Sequence, residues 1–239
     1  MTDYRAIYET RADDYDRMVE VEDVDGEVIG SLAALAPLSG SNVCEVGIGT
    51  GRITRQLVAR GARVFGVEPA EAMLRIAISK VRALGGDASG LVSGSLGALP
   101  FGDATADLGV AGWVFGHQRT FEPQTWRSEV GRGVAELERV VRPGGAIALF
   151  ETHGTGVEAP LFVDGADGRE DFYELLRFLV EDLGFERRIL RTDYRLSSPE
   201  EAARALEFFF GPEMGARIRA RGWARVPAWT GLYTKRVGR

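Results

Sequence analysis

Cysteine is all but missing from this 239-residue chain. Cys44 stands alone, so no internal disulfide can form, and its place inside an apolar run makes it a small buried filler. Histidine is almost as scarce, with only His117 and His153. One cysteine and two histidines cannot build a zinc cluster of the Cys/His type, and no metal is expected. Lysine is reduced to Lys80 and Lys235, and the net charge of −6 lacks the basic footprint of a nucleic-acid binder. No apolar run approaches the roughly 18 residues of a membrane span, and Met1-Thr2-Asp3-Tyr4-Arg5 has no apolar signal core. The expectation is a cytoplasmic protein that uses neither membrane nor nucleic acid.

What remains is ordinary in amount and uneven in placement. Apolar residues make up 45% and charged residues 27%, as in a soluble globular chain, and the length suits one α/β domain with a small lid or insertion. Acids crowd residues 1 to 40, whereas arginine dominates after Glu186, with Arg187, Arg188, Arg191, Arg217, Arg219, Arg221 and Arg225. Such runs are usually solvated faces; the basic end alternatively meets an acidic substrate or a partner.

Glycine is abundant, and its placement organises the chain. A β-prone run, Val43-Cys44-Glu45-Val46, feeds Gly47, Gly49 and Gly51, and a helical pattern with Ile53, Leu57 and Val58 follows over Arg52 to Arg60. Strand, tight glycine turn and helix let a ligand approach the main chain and face the first free N–H groups of the helix. A dinucleotide fingerprint needs a third small residue where this chain has Arg52, so the match to NAD is incomplete. Arg63 to Glu68 reads as a second strand joined by a right-handed crossover. Glu68 at its carboxyl end is placed to accept from the ribose hydroxyls of an adenosine.

The series Glu45-x-Gly47-x-Gly49-x-Gly51, Glu68-Pro69 with Met73 after it, Gly94-Ser95-Leu96-Gly97-Ala98-Leu99-Pro100-Phe101, and Glu136 to Arg142-Pro143-Gly144-Gly145 resembles, in order, the motifs of the class I S-adenosylmethionine (SAM) dependent methyltransferases. The resemblance runs from about Tyr4 to Gly154. It implies an α/β, Rossmann-like three-layer sandwich with a seven-stranded, mostly parallel sheet of order 3-2-1-4-5-7-6, N-terminal lid helices and a small helical insertion. It implies SAM as cofactor, held by Tyr15, Glu45, Gly47, Gly49, Gly51, Glu68, Pro69, Met73, Ser95, Leu96 and Trp113. The family commonly has an acid where this chain has Ser95, so the adenine contact there is weaker or comes from the backbone. A single domain over 1–239 is expected, divided into a lid at 1–40, a cofactor-binding core at 41–154 and a substrate side at 155–239.

Strands are further expected over Gly90 to Gly94, Leu108 to His117, Ala146 to Phe150, Phe185 to Arg195 and Ala224 to Lys235. Helices are expected over Trp126 to Val141, Asp171 to Leu183, Ala202 to Phe210 and Met214 to Arg221, with Ser198 as the N-cap of the third. His117 and His153 then fall at the carboxyl ends of neighbouring strands and face one cleft. They are the candidate catalytic bases for an O- or N-acceptor that must lose a proton, with Glu151 a third. An aromatic pocket for a small molecule is expected from Phe162, Tyr173, Phe208, Phe209, Phe210, Trp223 and Trp229. Two alternatives stay open: an enzyme of this fold that uses the cofactor's charge without methyl transfer, and a non-catalytic partner subunit. A homodimer or a protein partner is compatible with either.

Overall fold

The computed structural model describes residues 3–161 and 170–238. Helices α1 (Tyr4–Thr10), α2 (Ala12–Val19) and α3 (Glu27–Leu35) precede β1 (Asn42–Val46), α4 (Arg52–Val58), β2 (Arg63–Glu68), α5 (Glu71–Ala83) and β3 (Leu91–Ser93). The chain continues through β4 (Ala106–Gly112), α6 (Phe115–Phe121), α7 (Trp126–Val140) and β5 (Val141–Thr155). Helix α8 (Glu170–Arg177) ends in a π-helical turn at Phe178–Asp182. It is followed by β6 (Glu186–Arg191), β7 (Tyr194–Arg195), α9 (Pro199–Phe210), α10 (Pro212–Arg221), β8 (Arg225–Val226) and β9 (Ala228–Arg236).

Seven strands form one sheet in the order β3-β2-β1-β4-β5-β9-β6. The first five pair in parallel, and β9 runs antiparallel between β5 and β6. This is the expected order, with β9 as the seventh strand. The central strands are apolar on both faces, as covered parallel strands must be. On one face Val43, Val110 and Ala148 pack with Ile29 and Leu32 of α3, Leu57 of α4 and Ala77 of α5. On the other, Val46, Ala111 and Leu149 pack with Val130 and Leu137 of α7 and with Leu175 and Leu179.

A third cluster lies over the carboxyl edge of the sheet. Met18 and Val19 of α2 join Ile7, Leu206 and Phe209, Ile218, and Tyr194 and Val226 of the two-stranded ribbon β7–β8. The N-terminal lid and the late helical insertion, 180 residues apart in sequence, are therefore one cap. Ser198 caps α9 by accepting from the Glu201 amide at 3.2 Å, with Pro199 at the first position.

Four expected strands differ. The fourth ends at Gly112, because Trp113 adopts a left-handed conformation with φ 57° and turns the chain into α6. The fifth begins at Val141: the Pro143-Gly144-Gly145 segment is a bulge inside a 15-residue strand, with the register to β4 shifting between Ala106 and Leu108. The sixth and the last are each broken beside Asp193. Its carboxylate, wholly buried, accepts from Arg191 Nε, from Arg225 Nε at 2.6 Å and from the Ala228 amide at 3.1 Å, while Pro227 has no N–H to continue a ladder. Phe162 lies outside the described residues.

Candidate active site

The glycine loop is shaped by its neighbours. Gly47, Gly49 and Gly51 have φ of 70°, 58° and 81°, values that L side chains avoid. A Cβ on Gly47 would stand 2.3 Å from Val114 Cγ2, and one on Gly51 would stand 3.0 Å from Ala77 of α5. Gly47 thus lets the loop close on the segment after β4, and Gly51 lets α4 close on α5. The amides of Gly47 and Ile48 donate to the Val67 carbonyl at 2.9 and 3.2 Å. Glu68 then accepts from the Gly49 amide at 2.8 Å and the Ala70 amide at 2.9 Å. Burial raises the pKa of this carboxyl, against the pull of the two amides. Each oxygen keeps a further acceptor position.

Beside this loop is a cavity of about 580 Å³. It is lined by Gly47 and Glu68, by the apolar Val46, Val67, Pro69 and Leu96, by Ser95 and Gly97, and by Arg5 and Tyr8 of α1. An apolar slot next to a buried carboxylate with spare acceptor positions, on a loop where glycine is sterically required, fits a nucleoside. Glu68 has acceptor positions of the kind that ribose hydroxyls require.

A second cavity of about 270 Å³ lies under the cap. Its walls include Tyr4, Tyr15, Trp113, Tyr194, Phe209 and Phe210, and its polar groups include Glu22, Arg52, His117 and Glu151. Between the two cavities, Tyr8 and His117 share a hydrogen bond of 2.8 Å from hydroxyl to Nε2. Tyr8 borders the larger cavity and His117 the smaller. Burial lowers the His117 pKa to about 4, so the ring is neutral at pH 7, and burial raises that of Tyr8 far above its usual range.

Glu151 is buried at the end of the sheet and accepts from the Phe115 amide at 2.8 Å. Loss of water pushes its pKa up to about 7, while the amides of Gly116, Phe115 and Val114 pull the other way. Arg52, the residue that breaks the dinucleotide pattern, does not crowd the glycine loop. Its guanidinium pairs with Glu22 and lies 3.8 Å over the Trp113 ring, in the smaller cavity.

Of the residues expected at the cofactor, Gly47, Glu68, Pro69, Ser95 and Leu96 border the larger cavity. Tyr15 and Trp113 border the smaller one, so the lid contact over the larger cavity falls to Tyr8 of α1. Glu45, Gly49, Gly51 and Met73 border neither. Glu45 is buried beneath the loop, accepts from Thr54 Oγ1 at 2.7 Å and is pushed up to about 8 by burial, which makes it a tie between β1 and α4. Met73 is buried on α5.

The two histidines do not share a cleft. His153 borders neither cavity: its Nδ1 lies 3.0 Å from the Leu161 carbonyl and its Nε2 2.7 Å from the Tyr233 hydroxyl. Gly231 makes this possible, since a Cβ there would meet His153 Cδ2 at 2.6 Å. Among the expected pocket aromatics, Phe209 and Phe210 border the smaller cavity, whereas Tyr173 belongs to the core under α7. Tyr8, Glu22 and Tyr194 are site residues that sequence reasoning missed. For Tyr8 the signal was present, as Tyr4 and Tyr8 share one helix face.

Comparison with known proteins agrees with this geometry. A family model described as a methyltransferase domain matches residues 44–149. An uncharacterised methyltransferase of Geobacillus sp. (strain WCH70) is 31% identical over 155 residues, covering 63% of this chain and 68% of the relative. The malonyl-[acyl-carrier protein] O-methyltransferase of Methylococcus capsulatus is 32% identical over 150 residues, which is 62% of this chain and half (50%) of that protein. Among solved structures, a chain from the complex of the Haloferax volcanii Trm112 methyltransferase activator with a methyltransferase superposes with a TM-score of 0.58, at 19% identity, over 98% of this chain and 97% of that one. Motifs, sheet order, cavity and relatives converge: the chain belongs to the class I SAM-dependent methyltransferases.

Proposed function

We propose that the larger cavity holds SAM and the smaller one a small-molecule acceptor, which is methylated on oxygen or nitrogen by in-line displacement. The observation that carries this reading is the pair of cavities meeting across the Tyr8–His117 wall. Glu68 would accept from the ribose hydroxyls, Val46, Val67, Pro69 and Leu96 would enclose the adenine, and Ser95 would face its edge. When bound, the sulfonium supplies an electrophilic methyl group.

The chain's own work is orientation, exclusion of water and handling of one proton. Helix α1 borders both cavities and α2 and α9 border the smaller one, an arrangement that would keep the reacting atoms together and dry. Neutral His117 and Glu151, which titrates near pH 7, are the groups able to take a proton from the acceptor.

Calorimetry with SAM and with its demethylated product, followed by incubation with methyl-labelled SAM and an acceptor panel, tests this. Binding of both, with label transferred, is expected. Tighter binding of NAD than of SAM would refute the cofactor. Acceptor turnover that persists unchanged with the demethylated product would refute methyl transfer.

A further inference from the structure

We propose that the acceptor is a small amine carried as its ammonium on an apolar or aromatic body, and that Glu151 is the residue that receives the charged nitrogen. This rests on the reading of the smaller cavity as the acceptor site and names what that site selects.

The argument begins with the charges on its walls. Besides tyrosines, the ionisable groups among the described lining residues are Glu22, Arg52, His117 and Glu151. Arg52 and Glu22 neutralise each other at side-chain exposures of 11% and 8%, and the Arg52 cation is further occupied by the Trp113 face. His117 is neutral and bonded to Tyr8. Among the described residues, the carboxylate of Glu151 is left with main-chain amides and no cation. A carboxylate, phosphate or phenolate ligand would bring a second negative charge to a buried one, with no free positive group to receive it. An alcohol gains no charge pairing.

An ammonium instead completes a charge-assisted hydrogen bond to Glu151 and can rest against the faces of the tyrosine, phenylalanine and tryptophan rings, which attract cations. The volume of about 270 Å³ lies just below the ~300–1,000 Å³ range of typical ligand pockets, which favours a small acceptor.

The same contact supplies the deprotonation that an ammonium needs. One proton passes from nitrogen to a Glu151 oxygen, leaving a carboxylic acid and an amine with a free electron pair. That pair forms the nitrogen–methyl bond while the methyl–sulfur bond breaks with its electrons to sulfur. The products are a methylated ammonium and a neutral thioether, and the Glu151 proton then leaves to solvent. The groups around Glu151 allow this. Tyr8 on α1 and Tyr233 on β9 are held protonated by burial, Tyr15 and Tyr194 likewise, His117 on α6 is neutral, and Glu22–Arg52 is balanced.

The test is calorimetry on the full chain, with and without the demethylated cofactor product, using two bodies and three charges: 2-phenylethylammonium and n-butylammonium, the matching alcohols, and phenylacetate and butyrate. At least one ammonium should bind about tenfold or more tightly than its alcohol and carboxylate counterparts. At pH 7 its binding should release about half a proton, since a group near its pKa is half protonated and pairing ionises it. Glu151→Gln should abolish both the preference and the proton release while leaving alcohol affinity in place.

Equal or tighter binding of the carboxylates, no ammonium binding in the millimolar range, or no proton release overturns the proposal. So does a folded Glu151→Gln variant that keeps the preference. Should that variant fail to fold, the wild-type ranking and proton count still decide. Failure of the demethylated product to bind would instead count against the larger cavity as a cofactor site, and the probe series without it reads the smaller cavity separately.

Discussion

Replacing Arg52 by methionine should loosen the cap from the glycine loop. Arg52 opens α4, directly after Gly51, and Glu22 follows α2, so their buried pair joins the two parts of the molecule that enclose the cavities. The other ion pairs between α2 and this side among the described residues are Arg55–Glu20 at 2.5 Å, with Glu20 30% exposed, and Lys80 to Asp16 and Glu20; partly exposed pairs of this kind contribute roughly 0–1 kcal/mol each. Methionine keeps the stem and deletes the guanidinium, which leaves Glu22 buried with the Tyr194 hydroxyl as its remaining partner. Removing one member of a buried pair costs about 3–5 kcal/mol. Because Glu22 borders a cavity large enough for water, the lower end applies, about 3 kcal/mol, and at ~2–4 °C per kcal/mol for a chain of this size Tm should fall by about 6–12 °C. Adding Glu22→Gln removes the orphaned charge, so the double variant should regain about half of the loss, a coupling well above the ~0.5 kcal/mol expected of independent sites. Hydrogen exchange should speed up in α1 and α2 and stay slow in β1 and β4. Thermal unfolding of the four proteins in the cycle provides the assay. Additive losses, or faster exchange spread evenly through the sheet, would refute the idea that this pair fastens the cap.

Gly47→Ala combines a left-handed φ, costing roughly 1–2 kcal/mol, with a 2.3 Å approach to Val114; it should weaken SAM binding in calorimetry, and adding Val114→Ala should recover the steric share alone. His153→Phe should lower Tm, since it removes the ring's hydrogen bonds to the Tyr233 hydroxyl and the Leu161 carbonyl, yet leave kcat of the folded enzyme near wild type, whereas His117→Phe should reduce it strongly; equal loss in both variants would overturn the distinction. Stability should fall between pH 6.5 and pH 8. Glu45 and Glu151, raised by burial from 4.5 to about 8 and about 7, hold protons in the folded state that the unfolded chain has released. Their contribution is full below pH 4.5 and is lost as pH rises through 7 to 8. His117 and His153, depressed from 6.5 to about 4, contribute above pH 6.5 and lose it on acidification, which offsets the carboxyls between 4.5 and 6.5 and no longer does above. The loss is up to about 1.4 kcal/mol per pH unit for each carboxyl; urea midpoints at pH 6.5 and 8 measure it, and an equal or higher midpoint at pH 8 would contradict the assignment.

The parts of this site that were legible in sequence are those whose geometry is set within a few residues. A strand, three glycines and a helix specify their own turn, and Glu68 follows from where the next strand must end. Only the first crossover, from β1 to β2, was legible for the same reason, being local and of fixed hand; the full sheet order came with the resemblance of the motif series. What escaped depends on atoms remote in sequence. His153 looks like a residue at the mouth of the sheet until Gly231, 78 positions later, leaves the space that lets its ring turn back to Tyr233. Tyr15 and Tyr8 differ by one turn of chain at Arg11, and that break sends one to each cavity.

Arg52 is the sharpest case. As a letter in a glycine motif it marks a mismatch, and nothing nearby says where so large a side chain can go. The answer lies 30 residues upstream in Glu22 and 61 residues downstream in Trp113, whose left-handed backbone presents its ring to the guanidinium. A residue that weakened one cofactor assignment thereby neutralises Glu22 in the neighbouring cavity. With Arg52 and Glu22 cancelled, Glu151 is the unpaired carboxyl among the described lining residues, and the proposed preference for an ammonium rests on that cancellation by the side chain least at home in the loop motif.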